Sequence, residues 1–162
     1  MERAAAGRPG TVAVAQDSVA SAEVYAALRL YYTRLTSRDW KVLGESFWPR
    51  ATITTIMRAA GAAADSVHTI PIEEFVERAT RKGIRDCPAS FTDEIARANV
   101  VTYGPLADAW VVYRAHCGVR ADSVAVHFGM DAFHLMKHRG EWRVTGLTFT
   151  METPDQPLAR QP

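Results

Sequence analysis

The run from Val124 to Glu152 constrains the fold more than any other part of the chain. It reads as two long strands joined by a charged turn. Val126, Phe128, Met130 and Ala132, followed by the offset pair Phe133 and Leu135, mark extended chain and predict a change of apolar face near Gly129. Lys137-His138-Arg139-Gly140 supplies a polar turn with glycine in its tight position. Trp142, Val144, Leu147 and Phe149 carry a second strand back, and Gly146 interrupts their alternation as a bulge would.

Upstream, helical and extended segments follow one another in a readable order. Asp17 or Ser18 caps a helix running to about Ser37, whose buried stripe is Val24, Leu28, Tyr31 and Leu35. Asp39 opens a shorter helix with Trp40, Leu43 and Phe47 on its apolar face and Pro49 at its end. The β-branched run Ala51–Ile56 predicts a strand, Arg58–Ala64 a hairpin loop, and Ser66–Ile70 a short return strand. A third helix starts with Pro71 in its first turn, carries Glu73 and Glu74 near its N-terminus, and ends at Arg81, Lys82 and Gly83. Its inner face is Ile72, Phe75, Val76 and Ala79. Phe91–Tyr103 and Ala107–Cys117 follow as strands around a Gly104-Pro105 turn. In the latter, Ala109, Val111 and Tyr113 alternate with Trp110, Val112 and Arg114. Apolar residues on both faces imply that both are covered, one by helices and the other by a second subunit or further protein.

Composition narrows the class. With 162 residues, 48% of them hydrophobic, the chain suits one domain over 18–153, flanked by flexible tails at 1–17 and 154–162. A net charge of +1 with interspersed signs argues against nucleic acid, and no apolar run approaches the roughly 20 residues of a membrane helix. Cys87 and Cys117 lack metal-ligand spacing; the composition favours free thiols, with a single bridge as the alternative. The histidines show no close pairing, so neither a metal nor a cofactor is expected. The reading is cytoplasmic. A secreted precursor is the alternative, because Ala13-Val14-Ala15 has the form that signal peptidase cuts, although the apolar stretch before it is short.

The closing hairpin, MDAFHLMKHRGEWRVTGLTFTMET, resembles that of the nuclear transport factor 2-like superfamily, and the order of elements agrees with it. The resemblance covers roughly Ala22 to Thr153. It implies an α+β cone: a strongly curved, mixed but mostly antiparallel six-stranded sheet wrapped around three helices. Such a cone encloses an apolar pocket for a small molecule. By pattern, Tyr31 takes the place of the ketosteroid isomerase phenol and Asp131 that of the neutral carboxyl. Thr55 stands where those isomerases keep a proton-moving acid, and a threonine hydroxyl is too weak an acid to replace it. Leu147-Thr148-Phe149 lacks the acid of limonene epoxide hydrolases.

The expected site therefore comprises Asp131, Tyr31 and the substitute base His127, walled by Trp40, Phe47, Thr55, His68, Phe75 and Phe133. The alternatives are a packed core position for Tyr31 and a paired strand-end carboxylate for Asp131. Three functions follow from this resemblance. The first is a binding domain for a small apolar or aromatic molecule. The second is a proton-transfer enzyme (isomerase, cyclase or dehydratase) using Tyr31 and Asp131 on a carbonyl compound. The third is an assembly module that dimerises through the convex sheet face near Trp110.

Overall fold

The structure, a computed structural model, describes residues 17–57, 65–82, 87, 89–120, 123–153 and 157–158. The expected N-terminal tail before Asp17, the Arg58–Ala64 loop and the Gly83 cap lie outside the described residues, as does most of the C-terminal tail. Helix α1 spans Ser18–Ser37 and α2 spans Trp40–Gly44. Strands β1 (Phe47–Met57) and β2 (Ser66–Pro71) precede α3 (Ile72–Lys82). Four long strands follow: β3 (Ser90–Tyr103), β4 (Leu106–Arg120), β5 (Ser123–His138) and β6 (Glu141–Met151).

Local chemistry accounts for these boundaries. The Asp17 carboxylate accepts the backbone N–H groups of Val19 and Ala20, and Asp39 accepts that of Val42, so each acid caps its helix as expected. Arg38 closes α1 in the left-handed region at φ 57°. The β5–β6 turn is made by Arg139 and Gly140, both at positive φ, the geometry a two-residue hairpin requires.

Two expected boundaries move. Phe47 belongs to β1, paired with Val144, rather than to the apolar face of α2. Pro49 lies inside that strand instead of ending a helix. It is tolerated because β1 shifts register against β6 between Phe47 and Thr52, with Arg50 at φ 66°. Pro71 ends β2, and the helical turn begins one residue later.

The strands form one sheet in the order β2-β1-β6-β5-β4-β3, antiparallel except for the β1–β6 pair. Further register shifts occur between Ile95 and Arg97 in β3 and opposite Gly146 in β6, where the bulge was expected. Each such shift bends a strand, and together they curl the sheet toward α1. No change of face occurs at Gly129. The β4–β5 pairing runs without a shift from Leu106↔Met136 to Gly118↔Val124. Gly129, Asp131, Phe133 and Leu135 thus all face the core, while Val126, Phe128, Met130 and Ala132 lie on the convex side. The apparent switch in the sequence is two apolar faces overlapping. Gly129 is needed for space: an added Cβ would fall 2.1 Å from the Tyr113 ring, which lies across it from β4.

α1 fills the concave face. Val24, Leu28, Tyr31 and Tyr32 are buried against Val100, Val111, Phe133 and Leu135. The Glu23 carboxylate fastens α1 to the last hairpin by accepting from Trp142 Nε1 at 2.9 Å and Lys137 Nζ at 2.5 Å. α1 also covers the sheet edge at β3. The Tyr25 hydroxyl donates to the Ala98 carbonyl at 2.7 Å, and Thr36 Oγ1 accepts the Asp93 N–H at 3.0 Å. These bonds occupy backbone groups that an open edge would offer to another strand.

Cys87 and Cys117 form a disulfide, so the bridged alternative replaces the free-thiol reading. The two lie 30 residues apart in sequence, but Cys117 pairs with Phe91, four residues beyond Cys87, and the Ala89 N–H donates to the Gly118 carbonyl at 3.0 Å. Closing a loop of this length stabilises by about 3–4 kcal/mol. Denatured protein without reductant should yield no titratable thiol, and the double Cys87→Ser, Cys117→Ser variant should lose about that stability in chemical denaturation. Two free thiols in the unreduced chain would contradict the bridge.

Candidate functional site

Among the described residues, Asp131 is the acid with the least exposure. Asp131, 4% exposed, sits mid-strand on the concave face of β5, between Val111 of β4 and Phe149 of β6. Its partner is Tyr32, whose hydroxyl donates to Asp131 Oδ2 at 2.5 Å. Tyr32 reaches it because α1 runs diagonally across the sheet. Residues 25, 28, 32 and 36, three or four apart, make the side of the helix that turns toward β3. Tyr31, which pattern matching puts beside Asp131, packs edge-on against Tyr32, Phe47 and Phe133 instead. The hydrogen bond to Asp131 thus comes from the residue that follows Tyr31.

Beside this pair, a groove of about 450 Å³ opens between α1 and β3, lined by Arg29, Tyr32, Thr33 and Thr36 on one side and Thr92, Asp93, Glu94 and Ile95 on the other. Asp93 points inward from β3, and its Oδ1 is buried without a hydrogen-bond partner among the described residues. The sequence carried a signal for it: Phe91, Asp93 and Ile95 alternate, which puts an acid on an apolar face. Tyr113, lying over Gly129, completes the surroundings.

The remaining expected residues scatter. Trp40 is buried edge-on against Phe75, and Phe47 and Phe133 pack around Tyr31, so these aromatics fill core volume. Thr55 donates to the Phe149 carbonyl at 2.9 Å. His68 pairs across from Thr55 and bonds with Ser66 Oγ at 2.8 Å. It shares the cross-strand row of Asp131 but stands three strands away, roughly 14 Å along the sheet at ordinary strand spacing. His127 is exposed, four residues from Asp131 on the same strand; through Ala115 it shares a row with Asp93. No three His, Cys, Asp or Glu side chains among the described residues are arranged to hold a metal ion.

Comparison with solved structures identifies the architecture. A nuclear transport factor 2-like protein of unknown function from Pseudomonas putida KT2440 superposes with a TM-score of 0.66 at 14% identity, over 90% of this chain and 96% of that one. The chain has the nuclear transport factor 2-like fold. The same fold is shared with a hexachlorocyclohexane dehydrochlorinase of LinA type 3 from Novosphingobium barchaimii LL02 (TM-score 0.64, 11% identity, 83% and 88% covered). It is shared too with the CamKII hub homology domain of a Chlamydomonas alga (TM-score 0.63, 13% identity, 83% and 99% covered). No family model matches the sequence, and no curated protein matches it. An enzyme and a hub domain on one fold mean that only the site can argue for a function.

Burial sets the electrostatics of this site. Burial strips water from the Asp131 carboxyl and pushes its pKa up to about 7, while the Tyr32 hydrogen bond pulls the other way. Asp93 is pushed up to about 8, first by burial and then by the charge of Asp131, against a backbone hydrogen bond from Glu94. Burial and the Asp131 charge also raise Tyr31, Tyr32 and Tyr113, which remain protonated. When Asp131 is ionised, it holds the Tyr32 proton and leaves the phenol oxygen only lone pairs. When Asp131 is neutral, its own O–H can donate to Tyr32, and the phenol proton is released for another acceptor.

The raised carboxyl makes a signed prediction for stability. The folded chain binds the Asp131 proton more tightly than the unfolded chain, so this contribution is full below the ordinary carboxylate range and is lost as pH rises through about 7. Asp131→Asn keeps an acceptor for Tyr32 and carries no charge. Relative to wild type it should therefore gain stability progressively from about pH 4 to about pH 7 and level off above, by on the order of 4 kcal/mol in all. A wild-type-minus-variant difference that is flat with pH in urea denaturation would contradict a buried, perturbed Asp131.

Proposed function

We propose that this domain binds a small, mainly apolar molecule bearing one carbonyl oxygen, held in the groove between α1 and β3 with the oxygen against Tyr32. The observation that carries this reading is that Tyr32 lines the groove while its hydroxyl is tied to the buried Asp131. A hydroxyl on a buried tyrosine, backed by a carboxyl that titrates near neutrality, is a donor whose strength the protein sets rather than the solvent. The groove is of the size that small ligands occupy, and Ile95 gives it an apolar contact surface. A carbonyl can only accept, so its binding needs the Tyr32 proton and hence a neutral Asp131.

2-Tetralone, an aryl-fused ketone, is a suitable probe. Its affinity, followed by calorimetry, should weaken as pH rises from 6 to 9. Tyr32→Phe should weaken binding about fivefold to tenfold at pH 6, the worth of one neutral hydrogen bond. Absence of any saturable binding at pH 6 would overturn the reading.

A second reading, homodimerisation through the convex sheet face, is favoured by Trp110, which is 57% exposed in the single chain. Val101, Tyr103, Leu106, Val126 and Met136 are exposed on the same side of the sheet. Such a strip on a small domain is ordinarily covered by another protein surface. Trp110→Glu should convert a dimer to monomer in sedimentation equilibrium without loss of helical signal; a wild-type chain that is monomeric at micromolar concentration would overturn it. No helix among the described residues is long and apolar enough to cross a membrane. The Cys87–Cys117 bridge supports an oxidising compartment over the cytoplasmic reading of the sequence.

A further inference from the structure

We propose that the His134–Asp108 pair is the contact by which two copies of this chain recognise each other through the convex sheet face, and that they associate with His134 protonated; this rests on the homodimer reading above. His134 Nδ1 lies 2.5 Å from Asp108 Oδ1 across the β4–β5 pairing, and both side chains are more than half exposed. The cross-strand row that holds them runs from Val101 of β3 through Asp108 and His134 to Gly146 of β6. Leu106 and Trp110 stand two residues either side of Asp108 on β4, and Met136 stands two beyond His134 on β5, all on one face. Val101, Leu106, Trp110 and Met136 are exposed apolar residues of the convex strip. The ionisable pair is therefore set among the side chains that a partner would cover, rather than at their rim.

On open surface such a pair contributes little. Once the strip is covered the pair leaves water, and any charge left uncompensated there is costly. Asp108 holds the ring through Nδ1, and Nε2 has no hydrogen-bond partner among the described residues. Gly146 keeps the far edge of the ring open, since an added Cβ there would lie 3.7 Å from His134 Cδ2. A two-fold axis turns a face onto itself, so a face bearing one cation beside one anion complements its own copy. About such an axis, His134 meets Asp108 of the partner subunit. Protonated, Nε2–H donates to that carboxylate, and the four groups together carry no net charge. Neutral, with Nδ1–H given to its own Asp108, His134 offers only a lone pair at Nε2. It then faces an acceptor, and two carboxylates are enclosed without a cation. Association therefore takes up protons. It is strongest below the range in which histidine loses its charge, and it weakens as pH rises through that range.

The other charged and titratable groups of this face bear on His134 less directly. Arg143 of β6 pairs with Glu141, and His138 lies two residues beyond Met136 on β5. Lys137 turns to the concave side, where Glu23 holds it. On β3, Arg97 stands opposite Val112, Tyr103 ends the strand, and Glu94 is shared by Arg114 and His116 of β4. Thr52 of β1, opposite Gly146, carries no charge. Among the described residues, Asp108 alone forms an ion pair with the imidazole.

Sedimentation equilibrium at constant ionic strength, at about pH 5.5 and about pH 8, reads the dissociation constant of the dimer across the histidine range. For wild type it should rise about tenfold to 100-fold between the two, the reach of one linked proton per chain. His134→Gln and Asp108→Asn should each lose this dependence, and His116→Gln, on the same face, should keep it. A dimer whose affinity does not change with pH, or a dependence that survives His134→Gln, would overturn the role of the pair and leave the convex-face dimer standing. A wild type that is monomeric at both pH values would overturn both.

Discussion

The hydrogen bond from Tyr32 to Asp131 is the interaction on which the rest of the site depends. An unpaired carboxyl in this position would cost several kcal/mol, because the curled sheet and α1 leave Asp131 only 4% exposed. Its donor comes from α1. The angle at which α1 crosses the sheet is set by Glu23 at one end, joined to Lys137 and Trp142, and by Thr36 at the other, joined to Asp93. The same helix that buries Asp131 thus supplies its partner and closes one wall of the groove.

Curvature makes the arrangement possible. A flat sheet would hold Asp93 and Asp131 two strands and several residues apart, beyond useful electrostatic reach. The register shifts between Ile95 and Arg97 and opposite Gly146 bend the long strands until the two carboxyls influence each other. Gly129 serves the same end by letting the Tyr113 ring lie flat across β5 without displacing the strand. The disulfide holds the approach to β3 against the end of β4, and Arg38 donates to the Cys87 carbonyl, tying that corner to the C-terminus of α1. The groove is framed by covalent and polar ties at its mouth and by packing at its base.

The fold was legible in the sequence because it is written in periodicity. The caps at Asp17 and Asp39, the Arg139-Gly140 turn and the alternation of β4 each depend on local chemistry that a single chain displays. Asp131 was legible for a similar reason, as an acid within an apolar strand. Its partner was not. Tyr31 and Tyr32 are adjacent residues some 100° apart on a helix, and choosing between them needs the crossing angle of α1, a long-range property. Asp93 was hidden among the alternating charges of an edge strand. The Cys87–Cys117 bridge depended on which strand neighbours which, and the false change of face at Gly129 arose because both faces of β5 are apolar. Phe47 and Pro49 misled because a proline near an apolar helical pattern marks a helix end in most contexts, whereas here it occupies a bulge.

The central claim is that a buried carboxyl titrating near neutrality controls the Tyr32 hydroxyl. Carbon NMR of the aspartate side-chain carboxyls, with Asp131→Asn and Asp93→Asn providing the assignments, observes this without any ligand. The hydrogen-bonded, water-starved site predicts two aspartates with midpoints near 7 and 8. In Tyr32→Phe the Asp131 midpoint should move higher, because the hydrogen bond that favours its ionised form is gone. If every aspartate titrates below about pH 5, or the Asp131 midpoint is indifferent to Tyr32, the Tyr32–Asp131 pair does not set the chemistry of this groove.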